Sequence, residues 1–418
     1  MKKKHTSRAR GGIIGVLDIG STKMCCLIAR VEGKNPHIIG IGHQVSRGIK
    51  HGIVTEIEAA SQAILTTVHA AEQMAGEQLA EVVVNLSGGF GASRMTRAEI
   101  NLTGREISDR NMHRVLEQGF RVKEPHERTV IHSVPAGFSI DGSRPIRDPR
   151  GMYGHRLAVA MHVVSAEAAA VRNLANTLGR CRLEIAALVA SPYASGLACL
   201  VEDESELGAT LIDMGGGTTT IAVFLDGNLV FTDSVPVGGS HVTHDIARGL
   251  STPIAHAERM KALYGNAIPS SSDERETITV PLVGEEDEGT ANHVPKSILV
   301  GIIAPRIEET FELVRDRLAS AGFDQAAGRR VVLTGGACQL PGARDLAGHV
   351  LDKQIRIGRP LPIEGLAEAT GGPAFATTSG LIHFALAERA EPAKRGRARA
   401  EEPSGLFGRI GSWVRENI

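Results

Sequence analysis

Two short stretches place an aspartate, glycines and hydroxyl residues at matching spacing. Asp18 is followed by Gly20, Ser21, Thr22 and Lys23; Asp213 is followed by Gly215, Gly216, Gly217, Thr218 and Thr219. A phosphate chain needs backbone N–H groups at close range, and glycine lets the backbone approach. Ser21 and Thr22 add hydroxyl donors, and Lys23 adds a positive charge. A carboxylate facing a phosphate is repelled by it. Asp18 and Asp213 are therefore assigned to Mg2+, held through water as that ion prefers. Two such loops facing each other would clamp the phosphates of a nucleotide and its metal. A single aspartate–x–glycine after a strand is an ordinary turn; the repetition gives the pair its weight.

The surroundings of the two loops match as well. "GVLDIGSTKMCCLIARVEG" and "ATLIDMGGGTTTIAVFLDG" each run from an apolar stretch through the loop into a second apolar stretch. That pattern predicts a β-hairpin with the loop at its tip. A third strand follows each, in "HIIGIGHQV" and "LVFTDSVPV". Further on, "VVVNLSGG" and "VVLTGG" are β-branched runs of buried-strand type ending at paired glycines. The ordered pair predicts an α/β protein made of two related lobes, each a mixed sheet flanked by helices. Gly335 and Gly336 would let the backbone approach adenine or ribose. "HAERMKALYG" predicts a helix with Glu258 and Lys261 one turn apart; alone, this reads as a solvated face.

Length and composition bound the rest. The 418 residues are 42% hydrophobic and 22% charged, an ordinary globular balance. The net charge of −1 gives no footprint for nucleic acid. The five cysteines (Cys25, Cys26, Cys181, Cys199 and Cys338) lack zinc-like spacing and read as reduced and buried. No HExxH pattern occurs among the 16 histidines, so a metal site built only of protein ligands is not expected. "MKKKHTSRAR" is basic, but the apolar run after it is halted by Asp18 without a cleavage site. No apolar window is long enough to span a bilayer.

The expected organisation has a disordered basic arm over 1–12 and a first-lobe core over 13–87. An inserted subdomain over 88–163 interrupts that core, which resumes over 164–205. The second-lobe core covers 206–239, is interrupted by an inserted subdomain over 240–300, and resumes over 301–387. Residues 388–403, charged and without large apolar side chains, read as a flexible linker. Residues 404–418 carry the only tryptophan of the chain, Trp413. There Leu406, Phe407, Ile410, Trp413, Val414 and Ile418 fall at helical spacing on one face. Such an amphipathic helix is too short to span a membrane and suits its interface.

The two loops with "VVLTGGACQLPG" resemble the actin, Hsp70 and sugar-kinase superfamily. "GGSHVTHDIARGLSTPIAHAERMKALYG", "IDGSRPIRDPRGMYGHRL", "GIIAPRIEETFELV" and the amphipathic tail are more specific, and resemble the FtsA family of bacterial cell-division proteins. The resemblance covers about residues 13–385 and 404–418. It implies a duplicated actin-like ATPase fold that binds Mg-ATP between its lobes, polymerises with itself, and tethers the FtsZ ring to the inner leaflet of the cytoplasmic membrane. It implies that the first inserted subdomain handles self-contact and recruits later division proteins. The C-terminal peptide of FtsZ would dock on the second lobe's small subdomain, with Arg306 and Glu309 as candidate contacts. Glu258 and Lys261 would contact adenosine. The protein would then work at the cytoplasmic face of the cell membrane, at the division site.

One departure touches catalysis. Where actin has a histidine seven positions after the second aspartate, this chain has Thr220. No general base presents itself, and hydrolysis is expected to be slow at most. Three alternatives stand beside this reading. A small-molecule kinase of the superfamily would need a carboxylate base beside a substrate hydroxyl. An Hsp70-like chaperone would need a peptide-binding domain after the ATPase, and too few residues remain. A membrane adaptor with a vestigial site is opposed by the intact Asp18, Lys23 and Asp213.

Overall fold

The computed structural model describes residues 12–33, 35–284 and 292–394. The tail expected over 404–418, with Leu406, Phe407, Ile410, Trp413, Val414 and Ile418, lies outside the described residues, as does the basic arm through residue 11.

The first lobe opens with β1 (Ile13–Ile19), β2 (Lys23–Glu32) and β3 (Asn35–Val45). A small hairpin, β4 (Ile49–Lys50) and β5 (Ile53–Val54), leads into α1 (Ile57–Ala75) and β6 (Glu81–Leu86). An excursion follows through β7 (Arg94–Asn101), α2 (Asp109–Gly119), β8 (Arg128–Ile140) and β9 (Arg156–Glu167). The lobe is completed by α3 (Ala168–Arg180) and β10 (Glu184–Ala190). Helices α4 (Ser191–Cys199) and α5 (Glu202–Leu207) cross to the second lobe.

That lobe repeats the plan with β11 (Ala209–Met214), β12 (Thr219–Leu225) and β13 (Asn228–Val235). Its own excursion has α6 (Gly239–Gly249), α7 (Ile254–Tyr264), β14 (Thr277–Val280) and β15 (Asn292–Pro295). Then come α8 (Lys296–Ser320), α9 (Phe323–Ala326), β16 (Arg330–Thr334), α10 (Ala343–Leu351) and β17 (Gln354–Ile357). Helix α11 (Ala376–Lys394) returns to the first lobe.

The duplication read from the sequence is a duplication of sheets. The first sheet runs β3-β2-β1-β6-β10 and the second β13-β12-β11-β16-β17. In both, three antiparallel strands are followed by two parallel ones. Parallel strands need helical crossovers, which cover the faces of the sheet. Accordingly Leu17, Met24, Ile28 and Val84 pack with Ile64 and Val68 of α1, and Ile212, Ile221 and Leu333 with Ile303 and Phe311 of α8. On the inner faces, Leu381, Ile382 and Phe384 of α11 join the first sheet, and Ala198 and Cys199 of α4 join the second. Helices α4 and α11 are therefore the packing between the lobes.

The first excursion is a three-stranded sheet, β7-β9-β8, under α2. It reaches the second lobe: Ser93 N–H donates to Thr232 O at 2.9 Å, and Thr232 N–H to Ser93 Oγ at 2.8 Å.

Several expected boundaries fall inside continuous elements. The division after 163 cuts β9, which stays paired with β8 as far as Glu167. The division after 205 cuts α5. The division after 300 cuts α8, whose Leu299, Val300, Ile303, Ile307, Phe311 and Val314 form one buried stripe at helical spacing. The linker start expected at 388 falls inside α11, which runs to Lys394. Glu388, Arg389, Ala390 and Glu391 are good helix formers, a property that charge content alone conceals, and the helix continues three residues past them through Pro392, a poor one.

Candidate functional site

The two predicted loops are built in the same way. In the first hairpin Asp18 pairs with Cys25 and Ile19 with Met24, and the tip closes with Gly20 N–H donating to Lys23 O at 3.0 Å. In the second, Asp213 pairs with Thr220 and Met214 with Thr219, and Gly215 N–H donates to Thr218 O at 2.9 Å. Each aspartate thus stands one residue before its strand ends. The tips meet across the interlobe gap. A Cβ at Gly216 would lie 2.3 Å from Thr22 Cγ2, and one at Gly217 would lie 2.4 Å from Ser21 Oγ. Glycine at these two positions permits that approach, whereas a Cβ at Gly215 would lie 3.0 Å from Thr218 O of its own tip.

Between the tips is a cleft of about 120 Å3. Asp18, Gly20, Ser21, Thr22, Lys23, Asp213, Gly215, Gly216, Gly217, Thr218, Gly335 and Gly336 all line it. Gly335 sits at φ +89°, and a side chain there would strike Asp213 Oδ1. Small-ligand pockets usually measure roughly 300–1,000 Å3, so this cleft has the size for the phosphate end of a nucleotide rather than the whole.

Thr219 is a correction. Side chains alternate along a strand, and Thr219 is the first residue of β12. Its hydroxyl points away from the cleft and donates to Val237 O at 2.8 Å. The alternation brings Thr220 into the lining instead, with its buried Oγ1 lacking a hydrogen-bond partner.

The charges in the cleft are buried. Asp18 accepts from Asn85 Nδ2 at 2.9 Å and from Thr378 Oγ1 at 2.8 Å. Burial outweighs these bonds and the nearby Lys23, pushing its pKa up to about 6. Asp213 accepts from Ser195 Oγ at 2.6 Å and Thr377 Oγ1 at 3.0 Å, and burial raises it too. Lys23 Nζ is buried without a hydrogen-bond partner and lies 3.2 Å from the centroid of the Phe375 ring. Burial lowers its pKa, while Asp18 works in the opposite direction. An ammonium over an aromatic face is attracted to it, but its three donors stay unused.

The residues present fit a magnesium–nucleotide. The unpartnered ammonium and the glycine tips suit phosphate, and two carboxylate oxygen donors suit a hard cation. Among the described residues no cluster of three or more His, Cys, Asp and Glu could hold a metal ion. A cation in the cleft would therefore complete its shell with phosphate and water.

Glu258 and Lys261 lie just outside the lining, on α7. Lys261 Nζ donates to Gly239 O at 3.1 Å, Thr243 Oγ1 at 2.8 Å and Glu258 Oε2 at 2.7 Å. Gly239 N–H in turn donates to Gly215 O of the second tip. Arg306 is elsewhere, on α8, bonded to Asp245 of α6 and to Glu309 one turn on.

Sequence reasoning missed the layer behind the loops: Asn85, Ser87, Ser191, Ser195, Phe375, Thr377 and Thr378. A signal existed. Asn85 interrupts "VVVNL", Ser195 interrupts "YASGLACL", and Thr377 and Thr378 open the apolar run "GLIHFAL". Buried polar groups require partners, so each interruption marks a position with something polar to meet.

Comparisons with known proteins bear on the family and the fold. The family model described as cell division protein FtsA matches residues 210–380, and that of the SHS2 domain inserted in FtsA matches residues 88–165. Cell division protein FtsA of Rhizobium meliloti (strain 1021) is 44% identical, over 98% of this chain and 96% of that protein. The FtsA of Escherichia coli (strain K12) is 31% identical, over 96% of this chain and 95% of its own. Among solved structures, a type IV pilus biogenesis complex of PilM and PilN matches with a TM-score of 0.62 at 17% identity, covering 90% of this chain and 98% of that one. MreB5 of Spiroplasma citri bound to ADP matches with a TM-score of 0.55 at 13% identity, covering 92% and 99%.

Proposed function

The chain belongs to the FtsA family of cell division proteins and has their actin-like fold, and from that premise we propose that it binds Mg-ATP between its lobes, polymerises, and anchors the FtsZ ring to the cytoplasmic face of the cell membrane. Membership in the family sets aside the small-molecule kinase. One observation carries the nucleotide reading: Lys23 presents a buried, unpartnered ammonium to a cleft walled by two glycine-rich tips. A buried ammonium whose donors are unused is unfavourable, and a phosphate supplies the acceptors that are missing.

In this reading Lys23 and the backbone of Gly20 to Thr22 and Gly215 to Thr218 hold the phosphates. Asp18 and Asp213 hold Mg2+ through water. The metal supplies charge neutralisation when it is bound. Gly335, Gly336, Glu258 and Lys261 receive the adenosine moiety, Lys261 being tied to the second tip through Gly239. Thr220 offers a hydroxyl and no base, which suits slow turnover with ATP chiefly setting the lobe separation. The sheet β7-β9-β8 with α2 is the surface for self-contact and for later division proteins. The α6–α8 region, with Arg306 and Glu309, receives the C-terminal peptide of FtsZ. Residues 404–418 bind the membrane interface. Among the described residues no helix is long and apolar enough to cross a membrane.

A fluorescent ATP analogue tests the core of the proposal. Lys23→Ala and Asp213→Ala should each weaken Mg-dependent binding by at least about tenfold, since each removes a charged contact worth roughly 1.5–3 kcal/mol. Unchanged binding in both variants would place the nucleotide elsewhere.

A further inference from the structure

Helices α4 and α11 meet the cleft with hydroxyl groups in a crossed arrangement. From α4, Ser191 Oγ bonds the first lobe through Asn85 at 3.1 Å and Ser87 at 2.6 Å, whereas Ser195, one turn later, donates to Asp213. From α11, Thr377 donates to Asp213 and contacts Ser195 Oγ at 2.9 Å, whereas the very next residue, Thr378, donates to Asp18. Successive residues on an α-helix point about 100° apart. Two adjacent threonines can therefore serve carboxylates that come from opposite lobes and lie far apart in sequence. Thr378 and Ser195 are completely buried, and Thr377 nearly so. Water does not readily replace these donors.

We propose that Thr377 and Thr378 are a positioning pair that fixes Asp18 and Asp213 relative to each other across the lobes, and thereby sets how tightly the cleft holds Mg2+ with its nucleotide. The pair acts through the carboxylates: Thr378 does not line the cleft, and the hydroxyl of Thr377 is engaged by Asp213. Separating the lobes changes the distance between the two carboxylates, while one helical turn holds its two hydroxyls at a set distance. Asn85 and Ser195 each orient a single carboxylate within this layer; among the described residues the threonine pair alone donates directly to both from a single turn. The inference rests on the nucleotide reading of the cleft.

The test uses the full chain. Mg2+ is titrated at a fixed concentration of a fluorescent ATP analogue, and binding of the analogue is measured separately in EDTA. Thr377→Val and Thr378→Val keep the shape and remove the hydroxyl; Thr378→Ser keeps the hydroxyl. Each valine variant should raise the Mg2+ midpoint roughly tenfold and leave affinity in EDTA within about twofold, with the serine variant within about twofold of wild type. Wild-type midpoints in both valine variants, or a serine variant that behaves like valine, overturn the proposal. A wild-type chain that binds no analogue overturns the nucleotide reading instead. The pair is then judged on thermal unfolding of the nucleotide-free protein. A double valine variant whose shift is smaller than the sum of the single shifts supports one linked device, and strict additivity overturns it.

Discussion

Asp18 carries the most testable electrostatics in the molecule. Its pKa is raised from 3.8 to about 6 in the folded chain, first of all by burial. Between these values the native state keeps a proton that the unfolded state has released. Stability therefore falls as pH rises through that window, by about 3 kcal/mol for about two pK units, and the loss is complete above pH 6. Nucleotide-free Asp18→Asn should gain thermal stability relative to wild type between pH 4 and pH 6, and the gap should level off above that. A gap independent of pH would show that Asp18 is not raised. Arg306 and Glu309 give a second expectation at this scale. Replacing both with alanine should lower affinity for a C-terminal FtsZ peptide while the ATP analogue still binds; a titration with wild-type peptide affinity would move the docking surface elsewhere. Most of the cleft was legible residue by residue, because a glycine-rich turn beside an aspartate announces itself locally. Thr219 was misread because the loop was counted one residue too far, past the start of strand alternation. Thr377 and Thr378 escaped because their partners lie 164 and 360 residues away, and no local pattern encodes such a distance.

At the scale of elements, the close contact of α4 with α11 decides how the lobes are joined. A Cβ at Gly380 would lie 1.7 Å from the carbonyl oxygen of Ala194, in backbone that cannot turn aside. Gly380→Ala should force the two helices apart and destabilise the protein by roughly 1–3 kcal/mol or more. Gly301, in α8, is the control: nothing lies within 4 Å of a Cβ there, so Gly301→Ala should be neutral or stabilising by up to about 1 kcal/mol. Equal thermal midpoints for the two variants would remove the argument. Strands and hairpins were readable from β-branched runs and turn glycines. Element ends were less so. The stripe of α8 serves both the excursion and the core of its lobe, and β9 serves both the inserted sheet and the return to α3. A composition boundary cannot divide an element that packs on both sides.

For the whole molecule, the membrane reading rests on residues 404–418 and on number. Burial of six large apolar side chains favours binding and ordering the segment opposes it, so a single tail should bind weakly. The polymer proposed above would present many tails, and effective concentration would do the rest. Trp413→Glu should abolish co-sedimentation with anionic liposomes. A variant unable to polymerise, its tail intact, should sediment far less than wild type. Equal sedimentation of that variant would mean that one tail suffices.

The unpartnered ammonium of Lys23 has a further consequence, for anyone handling the protein. A molecule whose interior holds a lysine with no hydrogen-bond acceptor is incomplete when empty. Its ligand acts as a missing part of the core, and anything that binds only the folded form adds stability with concentration. If the chain binds Mg-ATP as proposed, dialysis into nucleotide-free buffer should lower its thermal midpoint, and adding magnesium and ATP back should restore it.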